Sequence, residues 1–235
     1  EWDYVRRQAP AAMEQGRVFE TELMVRRKNG TTFWCDLRGR AIDAAAVGEG
    51  SIWVMLDITA RKEREQRIQH LADHDALTGL LNRRLLEDRL QQSITLARRN
   101  DALVAVMLID LDGFKAVNDQ FGHLMGDYAL RTVARRLREC GRQVDTVARL
   151  GGDEFVVLLS GQRVPEDSSL VAEKILSALT EPVAAGGRHF EIGASIGISI
   201  YPRDGTTPEA LLKHADAAMY RVKEAGKNRF QFYSS

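Results

Sequence analysis

Acidic side chains follow apolar runs at two places in this 235-residue sequence. Asp110 closes one run of strand length, and Asp153 and Glu154 follow Gly151-Gly152 between two further apolar runs. Carboxylate oxygens are the ligands that hard cations prefer, and consecutive strands are usually neighbours in a sheet. If these strands are neighbours, the acids predict a two-metal site for phosphoryl transfer. Taken alone, the glycine turn is better explained as a hairpin tip with solubilising acids.

A glycine-bearing polar stretch follows Asp110, and the amides of such a loop can face phosphate groups. Its members are Asp112, Gly113, Phe114, Lys115, Asn118, Gly122, His123, Gly126 and Asp127. Nearer the C-terminus, Lys223 and Lys227 stand four residues apart, so helical spacing would place them on one side. They would either stabilise the helix dipole or neutralise the phosphates of a nucleotide.

Four spaced motifs between residues 71 and 233 occur in the order typical of one known family. They are Asp75-x-Leu-Thr-Gly-Leu-x-Asn-Arg-Arg, Asp110-x-Asp-x-Phe-Lys-x-x-Asn-Asp, Gly122-His-x-x-Gly-Asp127 and Gly-Gly-Asp-Glu-Phe. Together they resemble a GGDEF diguanylate cyclase. The resemblance implies that two GTP molecules are condensed into cyclic di-GMP and two pyrophosphates by two copies of the chain facing each other antiparallel.

The resemblance also implies roles for single residues. Asp110 and Asp153 would bind two Mg²⁺ ions, or Mn²⁺, with the backbone carbonyl of Leu111. Glu154 would complete the metal site or help to activate the attacking 3′-hydroxyl, so that Asp153, Glu154 and Lys223 carry catalysis. The implied GTP site comprises Asn118 and Asp127 for guanine, the amides of Gly113 and Phe114 with Lys223 and Lys227 for phosphate, and His123.

Arg142 and Asp145 form an Arg-x-x-Asp pattern shortly before the glycine turn. A surface ion pair is the usual explanation of such spacing. At this offset the pair resembles the inhibitory product site of the same family. There Arg142 would bind phosphate and guanine of cyclic di-GMP, and Asp145 would accept a guanine N–H.

Two alternative functions remain open on the sequence. A non-catalytic module would bind GTP or cyclic di-GMP and signal through its linker; the presence of Asp110, Asp153 and Glu154 argues against it. A cyclase for adenine-containing dinucleotides would predict a different residue at Asp127.

The residues before the cyclase motifs predict strands and turns. Alternating runs flank Asn29-Gly30, which is a strong hairpin signal, and a third strand is expected over 51–58. The segments Arg-Arg-Lys-Asn-Gly-Thr-Thr-Phe-Trp and Asp57-Ile-Thr-Ala-Arg-Lys resemble the C-terminal half of a PAS sensor domain; a generic three-stranded sheet is the alternative.

We therefore divide the chain into a partial sensor (1–59), a helical linker (60–73) and a cyclase domain (74–235). The linker predicts a solvated helix capped by Thr59, or a short parallel coiled coil.

Periodicity in the cyclase domain predicts an α+β fold, with a ferredoxin-like or nucleotidyl-cyclase-like core of mainly antiparallel sheet and flanking helices. The expected elements are helices to about 99, over 121–140, 168–180 and 208–226, strands over 103–111, 190–200 and 229–233, and a hairpin over 147–160. Residues 103–111 lack alternation, so that strand should be buried on both faces. Residues 190–200 alternate, so that strand should be covered on one side.

Composition excludes several classes of partner. Thirty-three basic and thirty-three acidic residues cancel, so no net charge attracts nucleic acid. No apolar run in the chain has the length of a membrane span, and charges interrupt the first residues where a signal peptide would be apolar. Cys35 and Cys140 are predicted to be free thiols in a reducing compartment. These features predict a cytoplasmic location, and the resemblance implies a bacterial one. A membrane anchor or a phosphodiesterase domain outside this segment stays open.

Overall fold

The computed structural model describes residues 2–43, 50–185 and 188–234. The chain divides into two compact units, Glu1–Ala72 and Asp73–Ser235, called here the N-terminal unit and the C-terminal unit. Within the described ranges, no helix combines the length and apolar character needed to cross a bilayer.

The N-terminal unit is a helix packed on an antiparallel sheet of order β1-β2-β3. Its elements are α1 (Trp2–Glu14), β1 (Phe19–Arg26), β2 (Thr32–Ala41) and β3 (Ser51–Asp57). The hairpin and the third strand are confirmed, whereas α1 falls where the sequence analysis predicted no element. Val5, Ala9 and Met13 recur every four residues along α1 and are buried in the small core of this unit. That helical period is the signal that could have found α1.

Strand β3 forms one edge of this sheet, and all seven of its residues are exposed. It presents Ile52, Trp53, Val54, Met55 and Leu56. The assignment of this unit to a partial PAS sensor domain stays a prediction.

The linker helix α2 spans Thr59–Asp73, and none of its residues is buried. A solvated helix is therefore confirmed, and the coiled coil stays a prediction. The predicted capping role of Thr59 is wrong. Its hydroxyl oxygen accepts from the Trp34 N–H at 3.0 Å, and the Thr59 N–H itself donates to the Asp57 carboxylate at 3.0 Å.

The C-terminal unit is built on one five-stranded sheet of order β10-β9-β4-β6-β5. Its elements are α3 (Arg83–Asn100), β4 (Leu103–Asp112), α4 (Phe114–Phe121), α5 (His123–Cys140), β5 (Thr146–Gly151), β6 (Glu154–Gln162), α6 (Glu166–Thr180), β7 (Val183–Ala185), β8 (Arg188–Phe190), β9 (Gly193–Tyr201), α7 (Pro208–Glu224) and β10 (Arg229–Phe232). All neighbouring strands are antiparallel except β9 and β10, and β7 and β8 form a separate ribbon. The predicted α+β class is thereby confirmed.

The central strand β4 is buried on both faces, as predicted. Ile109 and Leu111 belong to the core shared with α4, α5 and α6. Val106 and Leu108 belong to the core shared with α3 and α7. Because side chains alternate along a strand, Asp110 projects to the second face, toward α3 and α7.

The strand predicted over 190–200 is wrong in two respects. The chain forms two strands, β8 and β9, and β9 is buried on both faces. The second face carries small residues rather than exposed polar ones, because α7 lies directly against it. A Cβ on Gly197 would come within 2.0 Å of the Ala215 carbonyl oxygen, and the Ser199 hydroxyl donates to the Leu211 carbonyl at 2.8 Å.

The glycine-bearing stretch after Asp110 is also more ordered than the predicted loop. It contains the short helix α4, which ends at Phe121, and Gly122 is the single residue between α4 and α5. Gly113 and Gly122 adopt φ of 80° and 83°, which glycine reaches without the steric cost that other residues incur. The chain therefore turns sharply at both ends of α4.

Candidate active site

Asp110 lies at one end of the sheet with an acidic and a basic side chain beside it. Asp110 and Glu154 are directly paired across β4 and β6, so their side chains project on the same face. Lys223, in the last turn of α7, places Nζ 2.7 Å from Asp110 Oδ2. The fold thus joins three residues that the sequence analysis assigned to catalysis or metal binding.

The electrostatics of Asp110 indicate a position that needs positive charge. Burial raises the pKa of this carboxyl; Lys223 lowers it, but the neighbouring Asp153 and Asp112 carboxylates raise it further, and the net shift is upward. A cation at this place would therefore relieve the repulsion between these acids.

The donors present here fit a hard divalent ion, because they are carboxylates together with the Leu111 backbone carbonyl. Among the described residues, no three His, Cys, Asp or Glu side chains converge to hold an ion by themselves. Mg²⁺ is commonly held by one or two carboxylates plus substrate phosphates and water. Asp110 and Asp153 would supply such a pair, and the Lys223 ammonium is the positive group beside Asp110 in this structure.

The turn that joins β5 to β6 carries Asp153. Gly151 and Gly152 have φ of 143° and 54°, values that favour glycine. The Asp153 carbonyl oxygen accepts a hydrogen bond from the Leu111 N–H at 3.3 Å. This bond ties the turn to the end of β4, where Asp110 lies.

The two predicted base-reading residues lie on the adjacent helices α4 and α5. Gly126 is buried on α5, and a Cβ there would come within 2.0 Å of Asn118 Oδ1 and 3.3 Å of Phe114 Cζ. Asn118 consequently packs against the backbone of the residue that precedes Asp127. This close approach explains why glycine occupies position 126.

The predicted phosphate-binding residues are brought together only in part. The Phe114 ring is buried in the core, so its amide and that of Gly113, at the start of α4, are the groups that could meet an anion. His123 is the exposed first residue of α5.

Lys227 does not lie where helical spacing with Lys223 would place it. Helix α7 ends at Glu224, and Lys227 adopts a left-handed φ of 62° while its N–H bonds to the Val222 carbonyl at 3.0 Å. The expectation that both lysines project from one helix side is therefore wrong, because helical periodicity stops between them.

A family model described as "Diguanylate cyclase, GGDEF domain" matches residues 72–229. The chain belongs to the GGDEF family. Its relatives include the bifunctional diguanylate cyclase/cyclic di-GMP phosphodiesterase MucR of Pseudomonas aeruginosa, 48% identical over 182 residues. That match takes in 77% of this chain but only 26% of MucR, so the chain spans about a quarter of this relative.

Solved GGDEF structures share the fold of the C-terminal unit, which is called the GGDEF unit from here on. The GGDEF domain of TpbB (YfiN) from Pseudomonas aeruginosa has a TM-score of 0.67 and 39% identity, over 68% of this chain and 94% of that one. The GGDEF domain of DgcB from Caulobacter crescentus, solved in complex with c-di-GMP, has a TM-score of 0.64 and 27% identity, over 70% of this chain and 97% of that one.

The GGDEF unit also has a cavity of about 620 Å³ beside Arg142 and Asp145. Asp145 Oδ2 accepts from the Arg142 N–H at 2.7 Å, and its buried Oδ1 has no hydrogen-bond partner in the described ranges. Arg89 and Arg138 also line this space. The pair is therefore a backbone-to-carboxylate contact with a spare acceptor, and not the surface ion pair of the alternative explanation.

Sequence reasoning gave Asp112 no role, yet it ties three parts of the GGDEF unit together. Its carboxylate accepts from the Ser195 hydroxyl at 2.9 Å and from the Asn228 N–H at 3.0 Å. These bonds fasten β9 and the chain after α7 to the end of β4. The available signal was the Asp110-x-Asp spacing, which puts both acids on one face of the strand.

Proposed function

We propose that this chain is a diguanylate cyclase that converts two GTP molecules into cyclic di-GMP and two pyrophosphates. The observation that carries the proposal is Asp110, a carboxyl with a raised pKa that faces Glu154 and Lys223 at the end of β4 in a GGDEF-family chain. Buried carboxylates with perturbed pKa values and specific charged neighbours mark functional sites.

The reaction is a phosphoryl transfer carried out twice. The 3′-hydroxyl oxygen of one GTP forms a bond to the α-phosphorus of the other, the bond from that phosphorus to pyrophosphate breaks, and the hydroxyl proton leaves. Asn118 and Asp127 would hold the guanine, and the amides of Gly113 and Phe114 would orient the phosphates. Glu154 would assist removal of the hydroxyl proton or complete the metal site.

Two divalent ions, Mg²⁺ or Mn²⁺, would supply charge neutralisation of the phosphates when bound. Asp110 and Asp153, with the Leu111 carbonyl, are the proposed ligands. Lys223 then exchanges its contact with Asp110 for the β- and γ-phosphates, helped by Lys227. The ammonium thereby moves from neutralising a carboxylate to neutralising the leaving pyrophosphate.

Each copy of the chain would bind one GTP, so that catalysis needs two copies in antiparallel apposition. The N-terminal unit, proposed to be part of a PAS sensor, and helix α2 would set that pairing. Cyclic di-GMP bound at Arg142 and Asp145 would inhibit, with the spare Asp145 oxygen accepting a guanine N–H.

The experiment is product formation from GTP and Mg²⁺, measured by chromatography over a range of protein concentrations. We expect specific activity to rise with protein concentration and to fall when cyclic di-GMP is added. Arg142→Ala should remove the inhibition, while the exposed control Arg135→Ala should retain it. No cyclic dinucleotide at any concentration would refute the proposal.

A non-catalytic nucleotide-binding module is the second candidate, and the Lys223 contact that closes off Asp110 favours it. It predicts that calorimetry detects binding of GTP or cyclic di-GMP while no product forms.

A cyclase for adenine nucleotides is tested by Asp127→Ser. This change should erode the preference for GTP over ATP, and an unchanged ratio would contradict the role given to Asp127.

A further inference from the structure

Arg149, on β5, bridges two turns of the GGDEF unit through one guanidinium group. Its Nε and Nη2 donate to the Gly152 carbonyl oxygen at 3.0 and 2.7 Å. Its Nη1 donates to the two carboxylate oxygens of Asp75 at 3.0 and 3.1 Å. The side chain is 10% exposed. A planar fork can make both sets of bonds at once, which a lysine ammonium cannot.

The Gly152 carbonyl matters because it belongs to the peptide unit that leads into Asp153. A peptide unit is planar, so holding its oxygen fixes the plane from which the Asp153 side chain departs. On the other side, the Asp153 carbonyl is held by the Leu111 N–H. Without Arg149, the two preceding glycines would leave the entry to Asp153 with the broadest backbone freedom of any residue type.

The other end of the bridge is itself fixed. Asp75 Oδ1 accepts from the Thr78 N–H at 2.9 Å and from the Thr78 hydroxyl at 2.6 Å. The Arg149 N–H donates to the Leu81 carbonyl at 2.9 Å. The guanidinium group therefore has a stationary counterion and a stationary backbone, as a positioning group requires.

We propose that Arg149 is a positioning residue that holds the Gly152 carbonyl and thereby aims the Asp153 carboxylate at the metal. This inference rests on the proposed function, which makes Asp153 a metal ligand. Arg149 acts through the turn and contacts neither nucleotide nor ion. Asp75 serves as its counterion, which gives the first sequence motif of the domain a task in the metal site.

The test compares Arg149→Lys, which keeps the charge beside Asp75 but loses the fork, with Arg131→Lys. Arg131 is a matched control because its Nε donates to the Leu77 carbonyl at 3.3 Å, in the turn that carries Asp75, and does not contact Gly152.

Mn²⁺ affinity is measured by electron paramagnetic resonance on the full chain with a non-hydrolysable GTP analogue. Loss of such a supporting contact typically lowers metal affinity by about tenfold or more, and we expect this for Arg149→Lys only. Amide exchange over 151–154 should accelerate in the same variant, and the KM for GTP at saturating metal should stay near that of the parent.

Equal Mn²⁺ affinity and equal exchange in the parent and Arg149→Lys would overturn the inference, as would equal losses in both variants. Because binding and exchange are measured without turnover, the two proposals fail separately. A parent that binds Mn²⁺ and nucleotide but forms no product refutes the cyclase while Arg149 is still tested. A parent that binds no Mn²⁺ with nucleotide overturns the positioning role as well.

Discussion

Asp75 and Asp110 are both partly buried carboxylates of the GGDEF unit with a basic side chain beside them, yet their pKa values shift in opposite directions. Burial alone would raise the pKa of Asp75, but hydrogen bonds from Thr78 and Arg149 outweigh it and the net shift is downward. At Asp110, burial and the neighbouring acids outweigh Lys223, and the net shift is upward.

The difference lies in how completely each carboxylate is satisfied. Both oxygens of Asp75 receive hydrogen bonds from groups held in place by a turn and a strand. Asp110 has one ion pair, with a flexible lysine, and lies among other acids. A fully satisfied carboxylate stabilises the fold. A carboxylate with too few hydrogen-bond partners stays available for a ligand. It lowers the stability of the fold, and functional sites keep such groups because activity needs them.

Asp57, in the N-terminal unit, gives a third case. It pairs with Arg27 and accepts from the Thr59 N–H, much as Asp75 pairs with Arg149 and accepts from Thr78. Both partners are nearly half exposed, at 44% and 45%. Similar chemistry at the surface should contribute little, because water and salt screen it.

The largest expected effect is that of Asp110→Asn on turnover. Because a bound metal ion contributes several kcal/mol to transition-state stabilisation, we expect product formation to fall at least about a hundredfold. Thermal melts in metal-free buffer at pH 8 should show no loss of Tm, since the substitution removes a poorly satisfied charge. Asp216→Asn, an exposed change on α7, is the control and should leave both values unchanged. Turnover within threefold of the parent would contradict the assignment of Asp110.

The next effect is that of Asp75→Asn on stability. The change leaves the Arg149 guanidinium enclosed without its counterion, and breaking a buried pair in this way costs about 3 kcal/mol or somewhat less at a partly exposed site. Denaturant unfolding of the full chain measures this loss of stability through the unfolding transition of the GGDEF unit. A loss no larger than that of Asp57→Asn would remove the distinction drawn between the two sites.

The contributions of Asp75 and Asp110 to the free energy of unfolding should depend on pH with opposite signs. The folded pKa of Asp75 is below the ordinary value of 3.8, so its contribution is present above that value and is lost as pH falls through the folded pKa. The folded pKa of Asp110 is above 3.8, so its cost is absent at lower pH and appears as pH rises through the folded pKa. The loss in Asp75→Asn should therefore shrink in acid, and the gain in Asp110→Asn should grow with rising pH. Free energies of unfolding from pH 3 to 8 check both slopes, and parallel slopes would be inconsistent with the shifts.

The smallest effect should come from Asp57→Asn. Its ion pair is exposed, so the shift in Tm should be smaller than that of Asp75→Asn and should disappear when salt is added. Thermal melts at low and high ionic strength measure it. A large shift that persists at high salt would show that the Asp57 contacts are enclosed in solution.

The sequence by itself determined the family, the α+β class and most strands and helices of the GGDEF unit. The hydrophobic period of the helices and strands and the turn at Gly151-Gly152 are local signals that the final packing does not oppose. The candidate site residues, among them Asp110, Asp153 and Asn118, could be named because the spaced motifs resemble those of the GGDEF family. The N-terminal helix was missed, although its four-residue period was present.

Only the tertiary structure decided which of these residues meet. Residue types do not reveal that Gly197 lies under α7, that helical spacing ends before Lys227, or that Arg149 links Asp75 to the carbonyl before Asp153. Such contacts join positions far apart in the chain and depend on how layers pack against the sheet. For the same reason the opposite pKa shifts of Asp75 and Asp110 cannot be read from the sequence: both are aspartates in motifs, and only burial and partners distinguish them.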